Sequence, residues 1–402
     1  MSDALFSDLL VIDCASFIAG PAAATILADF GARVIKIEPP GGDGYRMLKH
    51  LPGLPVSEGN YPWTLTNRSK ESLAVDLKSK EGRALLDQLI AKADVFITNY
   101  PLPVRRRLRL GFEDIHAVNP KTIYASLTPY GERGPEADKT GYDATAWWAR
   151  SGLMDLVRHS EDTPPAVSVP GMGDHMAANT LYGAIVTALY RRERTGEGAM
   201  VGTSLMANGL WSNGLMVQAA LDGADMSPRL TADSRSAFTE VYGCRDGRWF
   251  ILTILGQAEE RAWPELLRSL EREDLSQDAR FASPEARKEN NSALKMMFRD
   301  AFLQRDWADW NTRFVEHGIT CGRIAQAVDY RNDEQADAAQ MFTEFDDGSG
   351  DRTIDSPLFV AGEAKIAPRR APDAGEHSLA ILEELGLDAA SQQRLLEAGV
   401  VS

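Results

Sequence analysis

At 402 residues, with 44% hydrophobic and 25% charged side chains, the chain has ordinary globular make-up and can bury one large core and a smaller one. Its formal net charge of −15 argues against a nucleic-acid partner, which needs a basic face, yet a local cationic cluster can still hold an anionic small molecule. No apolar run reaches the ~18 residues of a membrane helix, the start Met1-Ser2-Asp3-Ala4-Leu5-Phe6 lacks a signal peptide's basic and apolar regions, and Cys14, Cys244 and Cys321 are far apart, so a cytoplasmic protein with reduced thiols and no membrane contact is expected.

The first third alternates strands and helices. Leu9-Leu10-Val11-Ile12-Asp13-Cys14-Ala15 is a short apolar run suited to a buried strand, and residues 22–30 form a helix with Pro21 at its first position and Gly31 at its end. Residues 33–38 give a second strand, stopped by Pro39-Pro40-Gly41-Gly42, which completes a strand–helix–strand crossover. A helix over 80–93, a strand over 94–99, a short helix over 112–118 and a strand over 122–127 repeat the rhythm. The pattern predicts an α/β fold whose large domain is a mostly parallel, helix-covered sheet.

Residues 174–194 are apolar almost all round, which predicts an interior helix, and a second apolar helix is expected over 200–221. Residues 226–330 read as a smaller α+β domain after a large domain over 1–225. It opens on a hairpin with the turn Asp246-Gly247, and helices follow over 258–270, 283–305 and 307–317. A last helix is expected over 378–387.

Phosphate-loop, dinucleotide-fingerprint, serine-elbow and zinc-protease motifs are all missing, and the six histidines show no metal-ligand spacing. The most suggestive segment is Val169-Pro170-Gly171-Met172-Gly173-Asp174-His175. Asp174 sits where an N-cap belongs, and a structural cap is worth roughly 1 kcal/mol. The same position also suits a nucleophile: the helix dipole favours an ionised carboxylate, and the glycines let a substrate approach the backbone. Arg105-Arg106-Arg107-Leu108-Arg109 is the densest positive charge. It reads either as a solvated helix face or as a phosphate holder beside the strand ending at Asn99. Lys139 and Tyr142 stand in a loop with no signal of their own.

Taken in order, these segments resemble the class III CoA-transferases, the CaiB–BaiF family, over nearly the whole chain. The resemblance is carried by Val11-Ile12-Asp13, Ala19-Gly20-Pro21, the stretch from Leu27 to Pro39, Asn67-Arg68-Ser69-Lys70, Asp94 to Tyr100, Gly171-Met172-Gly173-Asp174 and Gly375-Glu376-His377-Ser378. It implies a Rossmann-like large domain, a segment 331–402 that returns to it, and an interlocked homodimer. It also implies transfer of coenzyme A from an acyl-CoA to a carboxylic acid through an anhydride and a thioester on Asp174. The CoA thioester is then a substrate, and no tightly bound cofactor or metal is expected.

Carried across by position, Asn99, Arg109 and Lys139 hold CoA, with Arg105 or Arg106 as alternatives to Arg109, because cations suit its phosphates. Phe17, Ile18, Val75 and Tyr142 line the nucleotide or acyl pocket. Ile18 replaces a glutamine and Pro39 an arginine of the formyl-CoA transferase-like members, and a glycine-rich run before the hairpin is missing, so formyl or oxalate specificity is not implied. An α-methylacyl-CoA racemase is the rival within the family. It needs a histidine where Gly141-Tyr142-Asp143 stands. A non-catalytic CoA-binding subunit is the remaining alternative.

Overall fold

Six short strands carry the architecture of the larger unit. In the computed structural model, which describes residues 4–158, 160, 162–226 and 235–402, β1 (Leu10–Asp13) passes through α1 (Ala19–Asp29) to β2 (Arg33–Glu38), and α2 (Tyr61–Asn67) leads to β3 (Lys70–Ala74). Next come α3 (Lys80–Ile90), β4 (Val95–Thr98), α4 (Leu102–Leu108), α5 (Phe112–Val118) and β5 (Ile123–Thr128). A π-type turn (Asp143–Ala149), α6 (Leu153–Leu156) and the long α7 (Met172–Thr195) precede β6 (Met200–Ser204), α8 (Leu205–Ser212) and α9 (Gly214–Leu221). Every pairing in the sheet is parallel and the spatial order is β3-β2-β1-β4-β5-β6. This is the doubly wound order, in which strand order reverses between β1 and β4 and ligands bind beyond the carboxyl ends of the strands at that reversal.

The two-residue period of the strands divides the core. Val11 and Val34 face α1 and α7, packing with Ala23, Leu27, Ala178, Leu181 and Ile185. Ile12 and Ile35 face the other way and pack with Leu86 and Ile90 of α3 and Ile115 of α5. Charged residues that look out of place in strands are braces between elements. Lys70 Nζ lies 2.8 Å from Asp13 Oδ2, 2.8 Å from the Pro21 carbonyl, 2.7 Å from the Thr66 carbonyl and 3.1 Å from Asn67 Oδ1. Arg68 makes a two-pronged pair with Asp29 at 3.0 and 2.7 Å. Breaking either pair would strand a buried charge.

Several sequence expectations change. Residues 200–221 are not one helix: Met200–Ser204 is the edge strand β6, paired with β5, and α8 and α9 follow it. The helix expected over 174–194 starts earlier, at Met172, and is not interior all round. Ala177, Leu181, Ile185 and Ala188 are buried, whereas Met176 and Tyr190 are exposed. Helix α1 begins at Ala19, which makes Pro21 its third residue, still within the first turn where a missing N–H costs nothing.

The chain divides into two compact units: Met1–Arg158, Pro164–Gln218 and Glu334–Ser402 form one, and His159–Thr163 with Ala219–Asp333 form the other. The second unit holds a three-stranded antiparallel sheet, β7 (Val241–Gly243), β8 (Trp249–Leu252) and β9 (Cys321–Arg323). Its core is rich in aromatic side chains, among them Phe238, Tyr242, Phe250, Phe302 and Phe314. The helix expected over 283–305 is interrupted at Asn290, giving Pro284–Glu289 and Asn291–Phe302. The expected start of this domain at 226 adjoins 227–234, which lie outside the described residues, as does His159. At the end of the first unit, Ser378–Glu384 and Ala389–Glu397 are helical, and Val401 bridges to Val75. Among the described residues no helix is long and apolar enough to cross a membrane.

Candidate active site

The strand-order reversal between β1 and β4 places two loops side by side. Asn99, just past β4, clasps Ser16, just past β1. Its Oδ1 accepts the Ser16 N–H at 2.8 Å and its Nδ2 donates to the Ser16 carbonyl at 2.7 Å. The Ser16 hydroxyl donates to Asp43 Oδ1 at 2.8 Å, and Asp43 pairs with buried Lys36 at 3.0 Å. Burial pushes the Asp43 carboxyl up, but Lys36, the Tyr45 N–H and the Ser16 hydroxyl more than reverse this and hold it below its ordinary range. So restrained, the next residue, Phe17, adopts a left-handed backbone with φ +61°, a strained state for a bulky side chain. Its ring meets Tyr142 edge-on at 5.8 Å and Tyr45 at 6.2 Å.

The start of α7 arrives at the same place. Gly171, with φ +86°, is the helix's N-cap, and its N–H donates to buried Asp143 Oδ2 at 2.8 Å. A Cβ on Gly171 would lie 3.1 Å from the Ile18 side chain, and one on Gly173 would lie 2.5 Å from the Trp147 ring. Both contacts are too close for any larger residue to enter without movement. Asp174 is therefore not a cap, as its sequence position suggested, but the third residue of the helix.

Asp174 is half-buried, and no hydrogen bond or ion pair from a described residue engages its carboxylate. Burial, and then the charge of Asp143, push its pKa from an ordinary 3.8 up to about 7. The helix dipole is outweighed, and the carboxyl is not held fully ionised near neutral pH. Burial also keeps His175 below its ordinary value, despite the opposing charge of Asp143. Tyr45 belongs to the same surroundings: burial raises its hydroxyl, a hydrogen bond with Thr66 opposes this, and the Asp174 charge adds to the rise.

The sequence-derived site residues fall into three groups. Asp174, Phe17, Ile18, Asn99 and Tyr142 come together around the strand-order reversal. Arg109 and Lys139 lie on the surface, with side chains 75% and 56% exposed. Arg109 ends α4 in a left-handed conformation, and Lys139 pairs with Glu136 at 2.9 Å and lies 5.0 Å from the Tyr130 ring. Arg105 and Val75 are internal. The Arg105 guanidinium is spent on Ser126, Glu132 and the Tyr100 and Leu127 carbonyls, and Val75 packs among Ile37, Leu73 and Val401. Both side chains are almost fully buried within the larger unit. Sequence reasoning missed Asp143 and Tyr45 as parts of the site. The only local signal was Asp143 following Tyr142, which the resemblance placed in the pocket.

The family model described as CoA-transferase family III matches residues 6–378. The chain belongs to that family. As a class III CoA-transferase it is an enzyme that exchanges coenzyme A between acyl-CoA thioesters and carboxylic acids. Among its relatives, (R)-2-hydroxy-4-methylpentanoate CoA-transferase of Clostridioides difficile is 30% identical over 96% of this chain and 96% of its own. Cinnamoyl-CoA:phenyllactate CoA-transferase of Clostridium sporogenes is 30% identical over 95% of this chain and 93% of its own. A CaiB/BaiF family protein from Brucella suis superposes with a TM-score of 0.83, at 28% identity, over 96% of this chain and 100% of that one. For this transferase, the Rossmann-like sheet and the small antiparallel unit match the expected fold class.

Proposed function

We propose that the transferase works through covalent intermediates on Asp174. The carboxylate attacks the thioester carbonyl of the donor, forming an aspartyl–acyl anhydride and releasing CoA thiolate. The thiolate then attacks the aspartyl carbonyl, giving an aspartyl–CoA thioester and the free donor acid. An acceptor carboxylate repeats the sequence in reverse order: it displaces CoA to form a second anhydride, and the thiolate returns to the acceptor's acyl carbon. Thioester is exchanged for thioester, so the scheme requires no ATP, and CoA enters as substrate rather than as a resident cofactor.

The observation that carries this reading is the carboxylate of Asp174, without a partner among the described residues, at the start of α7 beside the β1–β4 reversal. Desolvation makes such a carboxylate a stronger nucleophile once ionised, and the first-turn N–H groups of a helix have no acceptor within it, which suits them to a developing oxyanion. Arg109 and Lys139 are the exposed cations suited to CoA phosphates, with Asn99 holding the loop against which the thioester lies. The larger unit then serves as the CoA-binding domain. Exposed Trp211 and Leu215, at 89% and 84%, fit a homodimer that covers them, and three free cysteines fit a cytoplasmic setting.

The test is to incubate the enzyme with an acyl-CoA, trap with hydroxylamine and map the modified peptide by mass. A hydroxamate on Asp174, and loss of CoA exchange in Asp174→Ala, are expected. Full exchange by Asp174→Ala would sink the mechanism. A racemase would instead exchange the α-proton with deuterium without any acceptor acid. The position where that chemistry needs histidine holds Tyr142, whose ring rests on Phe17.

A further inference from the structure

Helices α1 and α7 pack side by side and start at the same end of the sheet, with Ile18 at the N-cap of α1 and Asp174 in the first turn of α7. One turn further along each helix stands an alanine, Ala22 and Ala178. A helical turn advances about 5.4 Å, and Cβ atoms tilt toward the helix N-terminus. Both methyl groups therefore lean back toward the Ile18–Asp174 end. Where larger side chains would close the seam, a cavity of about 230 Å³ remains, lined by Ala22, Ile26, Leu65, His175, Ala178 and Ile354 among others. Its walls are largely hydrocarbon. Of its charged lining groups, Arg68 is already paired with Asp29 and the Leu65 carbonyl, and Asp355 with Lys365 at 2.8 Å.

We propose that this cavity receives the acyl chain of the substrate and selects a branched or aromatic monocarboxylic acid. The proposal rests on Asp174 being the acyl-accepting residue. An apolar cavity of about 150 Å³ admits a benzene ring, so this one has room for a phenyl ring or a short branched chain, and an acetyl group leaves most of it unfilled. A second carboxylate on the acyl group would meet Asp355 on the cavity wall, while the lining cation Arg68 is already held by Asp29, which disfavours dicarboxylic acids. In this proposal the acyl chain passes Ile18, whose side chain lies against Gly171, on its way from Asp174 to the cavity.

The test separates binding from transfer. Acetyl-, 4-methylpentanoyl-, 3-phenylpropanoyl- and succinyl-CoA are titrated calorimetrically into full-length Asp174→Asn, which cannot turn them over. At least a tenfold tighter Kd is expected for the branched and phenyl thioesters than for acetyl-CoA, with succinyl-CoA no tighter than acetyl-CoA. Adding Ala178→Leu, which fills the cavity, collapses that preference, and adding Ile26→Ala, which enlarges it, shifts the preference toward the phenyl thioester. The second variant carries the test if the first does not fold, as judged by its melting temperature. A flat affinity across the series, or a succinyl preference, would overturn the proposal. If the preference holds but Asp174→Ala retains full CoA exchange, the mechanism on Asp174 falls and the cavity assignment survives. If transfer proceeds without chain discrimination, the cavity assignment alone falls.

Discussion

Replacing Asp174 with asparagine removes a charge that the fold disfavours, so the substitution should stabilise the protein as it abolishes transfer. Its carboxyl is pushed from 3.8 to about 7, and at 1.36 kcal/mol per tenfold change in the acid equilibrium the full gap is about 4 kcal/mol. The sign follows from linkage. Because the folded-state pKa lies above the unfolded one, the folded protein holds this proton more tightly, and the associated stability is complete below pH ~4 and lost as pH rises through about 7. Roughly two-thirds of the window lies between pH 5 and pH 8, which sets an upper figure near 3 kcal/mol for the change over that range. Water reaching a half-buried group raises the effective dielectric constant toward ~20, so about 1–3 kcal/mol is expected. The assay is urea unfolding of wild type and Asp174→Asn at both pH values. The variant's advantage should grow from pH 5 to pH 8. An advantage that is constant, or that shrinks with pH, would mean that the carboxylate is held ionised by its surroundings and that the argument from burial is wrong.

Asp143→Asn keeps an acceptor for the Gly171 N–H but removes the neighbouring charge. The rising limb of kcat/KM with pH, set by ionisation of Asp174, should therefore move to lower pH, and an unmoved limb refutes the coupling. Gly173→Ala forces a methyl group against Trp147 and should cost roughly 1–3 kcal/mol in thermal or urea unfolding; unaltered stability would show that the turn yields. Arg105→Ala should destabilise by about 3 kcal/mol or more, because Glu132 and several carbonyls lose their buried partner. Arg109→Ala and Lys139→Ala should leave the melting temperature nearly unchanged and weaken CoA binding in a salt-dependent way. A reversal of those two patterns would return Arg105 to the ligand.

The strands with uniform apolar runs were legible in the sequence. Residues 33–38 were read with their observed bounds because Val34, Ile35 and Ile37 leave no competing pattern. β6 was lost inside an apolar stretch because Met200-Val201-Gly202-Thr203 lies at the sheet edge, half-exposed, and periodicity alone does not separate such a run from a helix. β3 was hidden by Lys70 and Glu71, since a lysine reads as surface until Asp13, Pro21 and Thr66 surround it. The arginine cluster shows the same limit. Arg105, Arg106 and Arg107 are equivalent in sequence, but the phase of α4 turns the first inward and leaves the others exposed. Asp174 lies three residues beyond the N-cap, the position that the sequence suggests for it, because Gly171, which carries no capping side chain, takes the N-cap. The α1–α7 cavity had no sequence signal, since alanine is the commonest of helix residues and its meaning depends on the facing helix.

Asp143 is asked to do two things through one carboxylate. It suspends the start of α7 from the preceding loop, and its charge helps set the proton affinity of the residue three positions further on. Any substitution there alters where Asp174 sits and how basic it is in the same stroke. Adjusting the enzyme's working pH without disturbing its geometry must therefore proceed through neighbours that touch only one of these properties, such as Ile18 or Tyr45. The polar hook at Gly171 makes the position of Asp143 resistant to gradual change, while the apolar surroundings of Asp174 stay open to it.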